Sequence, residues 1–319
     1  MENKKRKWEE EPSGSADRTF LIPYGRNLRF FGRDKELQSV KEALEPGTRF
    51  RAIGIHGLGG VGKTQLALQY ANTSLDVYQV IAWIQADTQT NIVRALSDLA
   101  TKLGLANGAS DDDGENVGKV RDWLNTTSKP FLLVFDDVDK IEILGQIWPA
   151  SDRGSIIITT RSPWVASGRT TTTLALSSFS ADTSGKVLRS LSGLEFADNK
   201  ESAAAHTILC RWTSGLPLAV MQMSNFIRNR GSSYVETEKM LQDSESARKA
   251  YIRAEPPAEY DYTLTTVWNA SLQGLSPEAT ALLHLFSWLD AAPVPERLIT
   301  GKTAEVYGTP LKFALDTFS

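Results

Sequence analysis

Five short apolar runs punctuate the first half of the chain: RFRAIGIH at 49–56, YQVIAWIQA at 78–86, FLLVFDD at 131–137, GSIIITTR at 154–161 and TTTLALSS at 171–178. Their apolar residues are continuous rather than alternating. That pattern marks strands buried on both faces, as in a parallel sheet with helices packed on each side. Between the runs the apolar residues recur at helical spacing. Leu37, Val40 and Leu44 share one face of a helix whose start Asp34 can cap. Lys63 to Ala71 reads as a helix with Leu66 and Tyr70 on one face. Residues 88–103 set Ile92, Leu96, Leu99 and Leu103 inward and stop at Gly104. A further helix is expected near 115–125.

From about residue 178 the strand signals cease. Helices are predicted over 182–192, 199–212, 216–230, 234–248, 262–274 and 277–289, with Ser276 and Pro277 as cap and first helical position of the last. No repeat of 20 to 50 residues is present. At the other end, residues 1–27 are expected to be a disordered tail. Its KKRK run, Lys4 to Lys7, reads first as a solvated charge run and second as a nuclear import signal. DDDGE at 111–115 reads as an acidic loop, because its glycine falls too early for a calcium loop.

Composition narrows the function classes. The chain has 319 residues, 41% of them hydrophobic, which is enough for about two domains with cores of their own. A net charge of −3 gives no cationic surplus to steer toward nucleic acid or an anionic membrane. The single cysteine, Cys210, excludes an internal disulfide and fits a reducing compartment. No apolar run is long enough for a transmembrane helix, and the charged N-terminus is not a signal peptide. A cytoplasmic protein is the expectation, with a nuclear one as the weaker alternative.

The chemistry is concentrated in GIHGLGGVGKTQLAL, residues 54–68. Gly57, Gly62, Lys63 and Thr64 satisfy the phosphate-loop pattern G-x-x-x-x-G-K-[ST], between an expected strand and an expected helix. Glycines let successive N–H groups turn inward as an anion nest, and the helix that follows aims its positive end at the same point. Lys63 is placed to reach β- and γ-phosphates, and Thr64 to offer a hydroxyl to Mg²⁺. Such a site needs an acid at the end of a buried strand. FLLVFDD supplies Asp136 for the metal's water shell and Asp137 to orient or deprotonate the attacking water. Arg161 ends the next strand, on the ligand-binding edge of an open α/β sheet, where it can read a γ-phosphate. His56 and His206 have no companions at metal-ligand spacing, so no metal other than Mg²⁺ is expected. Trp83 and Trp288 read as core, and His284 as packed among Leu282, Leu285 and Phe286.

The ordered series FFGRDKEL, GLGGVGKT, IAWIQA, LLVFDD, IIITTR and GLPLA (Gly215 to Ala219) resembles the NB-ARC module of STAND-class P-loop NTPases, most of all its fungal NOD-like receptor members. The resemblance implies a nucleotide-binding domain over 28–177, a small helical domain over 178–255 and the start of a winged-helix domain over 256–319, clasping ADP at rest. It implies ADP or ATP with Mg²⁺ as cofactor, and self-association on activation. By position, Phe31 and Arg33 would lie near the adenine. Gly57, Gly59, Gly60, Val61, Gly62, Lys63, Thr64 and Gln65 would wrap the phosphates, and Pro217 would pack on the base. A winged helix cut short at Ser319, with no effector or repeat sensor domain within these residues, is the expectation. Two other classes stay open: an AAA+-like motor, disfavoured by Asp-Asp where motors carry Asp-Glu, and a winged-helix regulator, disfavoured because residues 261–300 carry only Arg297 as a basic side chain.

Overall fold

The computed structural model describes residues 18–45, 50–106, 113–145, 147–151, 154–251 and 279. The KKRK run, residues 111–112, the helices expected over 262–274 and 277–289, Trp288, His284 and nearly all of the winged-helix segment lie outside them. The described chain divides in sequence into two compact units, between Phe179 and Ser180.

The first unit begins with a short strand, β1 (Thr19–Leu21), followed by α1 (Asp34–Ala43), β2 (Arg51–His56), α2 (Lys63–Thr73), β3 (Val80–Gln85), α3 (Gln89–Lys102), α4 (Asp113–Thr126) and β4 (Phe131–Asp136). A 3₁₀ turn (Ile141–Leu144), β5 (Gly154–Thr160), α5 (Pro163–Ser167) and β6 (Thr172–Ala175) complete it. The six strands form one sheet in the order β1-β3-β4-β5-β2-β6, and every pairing is parallel. β5 therefore lies between β2, which feeds the glycine loop, and β4, which ends in the aspartates.

Both faces of the sheet are buried, as continuous apolar runs require. Ala82, Ile84, Leu133, Phe135 and Ile158 share a cluster with Ile92, Leu96 and Leu99 of α3 and with Val120 and Leu124 of α4. Strand residues of the opposite parity, among them Ile53, Ile55, Ile81, Leu132, Val134 and Ile157, are equally buried. Gly54 shows how close the packing is. A Cβ there would collide with the backbone of Ala166 in α5, so α5 can lie against β2 only because that position has no side chain.

Local chemistry sets the helix ends. The Thr88 hydroxyl accepts the Asn91 amide at 3.3 Å and starts α3. At α1 the expectation is corrected: Arg33 is the cap residue, with no side-chain capping bond, and Asp34 is the first helical residue. Its charge acts there on the helix dipole, together with Glu36. The tail reading is corrected for residues 18–27. Thr19, Phe20 and Leu21 pair with Val80, Ile81 and Ala82, and Asn27 donates to Gln65 at 2.9 Å.

The second unit is helical in its described part: α6 (Ala181–Ser192), α7 (Asn199–Thr207), a π-helical turn (Ile208–Trp212), α8 (Pro217–Arg230) and α9 (Tyr234–Tyr251). The helix expected over 199–212 thus changes pitch at Ile208. Ser180 and Asp198 cap α6 and α7 through their side chains. Gly193 and Gly231 end α6 and α8 in the left-handed conformation. Val187, Leu188 and Leu191 of α6 are buried, as are Ala219, Val220, Met223 and Ile227 of α8. Tyr234 is completely buried, with its hydroxyl 2.9 Å from Ser192 Oγ and donating to the Leu194 carbonyl at 2.9 Å.

Candidate functional site

The C-terminal ends of β2, β4 and β5 bring the expected chemistry together. Residues 57–62 connect β2 to α2. Gly57, Gly60 and Gly62 take φ of 146°, 74° and 99°, which side-chain-bearing residues rarely adopt. At Gly57 a second constraint applies, because a Cβ would strike the Leu176 carbonyl oxygen. Leu58 stands out into solvent while Val61 is buried and anchors the loop. The first-turn amides of α2 have no intrahelical acceptor, which suits the start of this helix to an anion.

Lys63 opens α2. It is only 8% exposed, and its Nζ donates to the Gly57 and Leu58 carbonyls at 3.0 and 3.1 Å. Burial pushes this ammonium below the usual lysine range. Asp137 opposes that shift, Arg161 adds to it, and Asp136 opposes it. The cation thus folds back onto its own loop and meets neutral carbonyls. That is the arrangement a phosphate would replace.

β4 ends in Asp136, 5% exposed. Its Oδ1 accepts the Thr64 hydroxyl at 2.9 Å and the Thr159 hydroxyl at 2.5 Å. Burial raises its carboxyl above the ordinary carboxylate range. The hydroxyls of Thr159 and Thr64 oppose this, while Asp137 pushes the same way as burial and Lys63 against it. Asp137 takes φ of 59°, a left-handed conformation uncommon for a non-glycine residue. Its amide donates to Thr159 Oγ1 at 2.9 Å, and the next amide, of Val138, donates to the Thr159 carbonyl at 2.9 Å. Thr159 therefore fixes both aspartates. No local sequence signal marks Thr159, although it stands two residues before Arg161 in the same apolar run. Arg161 follows β5 directly and is exposed.

The donor set fits Mg²⁺ and a polyphosphate. A hydroxyl and a carboxylate meet at bonding distance beside a glycine nest that encloses a cation. Oxygen donors of this hardness suit Mg²⁺, which retains most of its water and takes one or two protein ligands. When bound, Mg²⁺ would neutralise charge on β- and γ-phosphate oxygens. Among the described residues, no cluster of three or more His, Cys, Asp or Glu offers another metal site.

Arg33 is 5% exposed and donates to Glu36 at 2.7 Å, to the Val61 carbonyl at 3.1 Å and to the Ser177 carbonyl at 2.5 Å. Its guanidinium lies 4.9 Å from the Phe179 ring centroid. It braces the loop from behind. Phe31 is half-buried, and Gln65 is exposed and held by Asn27. Pro217 belongs to the second unit, buried at the first position of α8 after Ser214 and Gly215 at positive φ. Trp83 corrects its reading as core. It is half-buried and lines a cleft of about 560 Å³ with Phe20, Tyr24, Gln85, Thr64 and Asp136.

The NB-ARC domain family matches residues 33–194 of this chain, a span that runs from Arg33 through the glycine loop and both aspartates. The chain belongs to the NB-ARC family. This NB-ARC chain is similar to a nucleotide-binding leucine-rich repeat (NLR)-like protein of Hyaloscypha variabilis, 24% identical over 313 residues that cover 88% of the chain and 31% of the relative. A probable disease resistance protein of Arabidopsis thaliana is 32% identical over 120 residues, 35% of the chain and 17% of the relative. Among solved structures, a signal transduction ATPase with numerous domains (STAND) from Pyrococcus horikoshii, which carries a tetratricopeptide repeat sensor, has the same fold. It matches with a TM-score of 0.50 at 18% identity, over 91% of this chain and 39% of that one. The chain thus spans less than two-fifths of each of these proteins. Among the described residues, no helix is long and apolar enough to cross a membrane.

Proposed function

We propose that this NB-ARC chain is a nucleotide switch of an NLR-like receptor. It binds ADP or ATP with Mg²⁺, hydrolyses ATP slowly, and self-associates according to the nucleotide it holds. The observation that carries the reading is the Thr64–Asp136 hydrogen bond at the mouth of the glycine loop, with Lys63 enclosed beside it. In this reading Gly57 to Gln65 wrap the phosphates, Thr64 and Asp136 hold the metal, and Asp137 takes the proton of the attacking water. Phe31 and Arg33 lie near the adenine, Arg33 also bracing the loop, and Pro217 contacts the base. Residues 28–177, 178–255 and 256–319 act as nucleotide-binding, helical and partial winged-helix parts. The compartment is the cytoplasm, and the relatives' names suggest signalling in defence. Slow turnover follows from Asp137, one methylene shorter than the glutamate of fast motors. The direct test is to denature the purified protein and identify what it releases. ADP or ATP at near one per chain is expected; purified protein that neither carries nor takes up either nucleotide would refute the switch.

Arg161 distinguishes the two nucleotides. It follows the strand between the loop strand and the acid strand, and of the two nucleotides only ATP carries a γ-phosphate for it to meet. Arg161→Ala is expected to weaken ATP by about 10-fold or more, the loss of one charge-assisted hydrogen bond, and to leave ADP within about twofold. Calorimetric titration with each nucleotide measures this. Equal losses for both would make Arg161 structural.

A further inference from the structure

β3 and β4 run in register to their last residues, where Gln85 pairs with Asp136. Paired residues on neighbouring strands, about 4.8 Å apart, direct their side chains to the same face of the sheet. On its other side Asp136 is hydrogen-bonded to Thr159 of β5. Gln85, Asp136 and Thr159 thus form a row across three adjacent strand ends, with the Thr64 hydroxyl resting on the central member. Gln85 lines the cleft that Thr64 and Asp136 also line. It is exposed at the end of an apolar strand, and among the described residues its amide makes no hydrogen bond. Because β3 and β5 flank β4, Gln85 stands on the opposite side of Asp136 from Arg161.

We propose that the Gln85 side-chain amide orients the water that attacks the γ-phosphate. The inference rests on the nucleotide reading given above. An amide beside the metal-binding acid offers both an acceptor and a donor, the two groups needed to fix one water, and it does not titrate. The cleft provides the solvent path. The water oxygen forms the new bond to phosphorus. The bond to the β–γ bridging oxygen breaks, and its electron pair leaves with ADP. The water's proton passes to the Asp137 carboxylate and from there to solvent, while Gln85 is chemically unchanged. Gln85 acts by placing the nucleophile, and its contribution is one of orientation.

The test compares the parent chain with Gln85→Ala, an exposed substitution that leaves the core intact. Three affinities are measured by calorimetry with Mg²⁺: ADP alone, ADP with beryllium fluoride, and ADP with aluminium fluoride. Beryllium fluoride imitates a bound γ-phosphate, whereas aluminium fluoride imitates the phosphoryl group with the attacking water in place. ADP and the beryllium complex are expected to bind within about twofold of the parent. The aluminium complex should weaken by about 10- to 100-fold, and single-turnover ATP hydrolysis should slow by a similar factor. Parallel losses in all three affinities, or no loss in the aluminium complex while both chains bind ADP, overturn the proposal. Failure of the parent itself to bind ADP overturns the nucleotide reading, and this inference with it.

Discussion

Replacing Lys63 with alanine is expected to lower ADP affinity by about 100- to 10,000-fold. In the folded chain the Lys63 ammonium is enclosed by its loop and donates to two backbone carbonyls. Carbonyls are weak partners for a buried cation, which is why burial lowers its pKa. A phosphate brings formal negative charge to the same place. Each hydrogen bond to a charged group contributes about 1.5–3 kcal/mol, and two such bonds at 1.4 kcal/mol per decade give the stated range. The substitution should not unfold the protein, since it removes a buried charge rather than a packed apolar group. Calorimetry with ADP, alongside a thermal melt of the ligand-free chain, separates the two effects. A Lys63→Ala chain that melts like the parent and binds ADP equally well would disprove the phosphate assignment.

Asp136→Asn is expected to stabilise the ligand-free chain at neutral pH while lowering its Mg²⁺ affinity by about 10-fold or more. The sign follows from linkage. Burial raises the Asp136 pKa in the folded state, so the folded chain binds the proton more readily than the unfolded one. Stability contributed by this group is therefore greatest at low pH. It falls as pH rises from the ordinary carboxylate range through the raised folded value. Above that raised value the charged form carries the cost of its burial. Asparagine keeps an oxygen for the Thr64 and Thr159 hydroxyls and removes that cost. It also removes the negative charge that attracts the cation. Melts of both chains across acid to neutral pH should converge at low pH and separate above it, with the variant higher. A variant that melts lower at neutral pH, or that keeps parental Mg²⁺ affinity, would contradict the argument.

These groups were legible in the sequence because each is announced locally. Glycines at fixed offsets before a lysine, and two aspartates closing an apolar run, carry their meaning within a few residues. β1 was hidden for the opposite reason. Three residues show no periodicity, and only pairing with β3 makes them a strand. The five residues of α5 are too few to display a helical face, and the π turn at Ile208 has no compositional mark. Trp83 looked like core because strands in this sheet are buried on both faces, yet the three-residue length of β1 leaves that edge thinly covered. The positions of Gln85 and Thr159 relative to Asp136 depend on strand order and register, which no short window of sequence contains. Arg33's hold on the Val61 and Ser177 carbonyls was hidden too, because both partners lie far from it in sequence.

The Arg33 brace has a mechanical consequence. One guanidinium nitrogen grips both Val61, in the glycine loop, and Ser177, just before the chain leaves the sheet-bearing unit. The same group stacks on Phe179, the last residue of that unit. Loop and exit therefore share a rivet. If the loop at Val61 shifts as phosphates come or go, it must either drag the segment after β6 with it or shear a charge-assisted bond in a place with little water to replace it. Arg33 sets the slack between the two, and a shorter or uncharged side chain at that position would let the loop move without the segment at Ser177 feeling the pull.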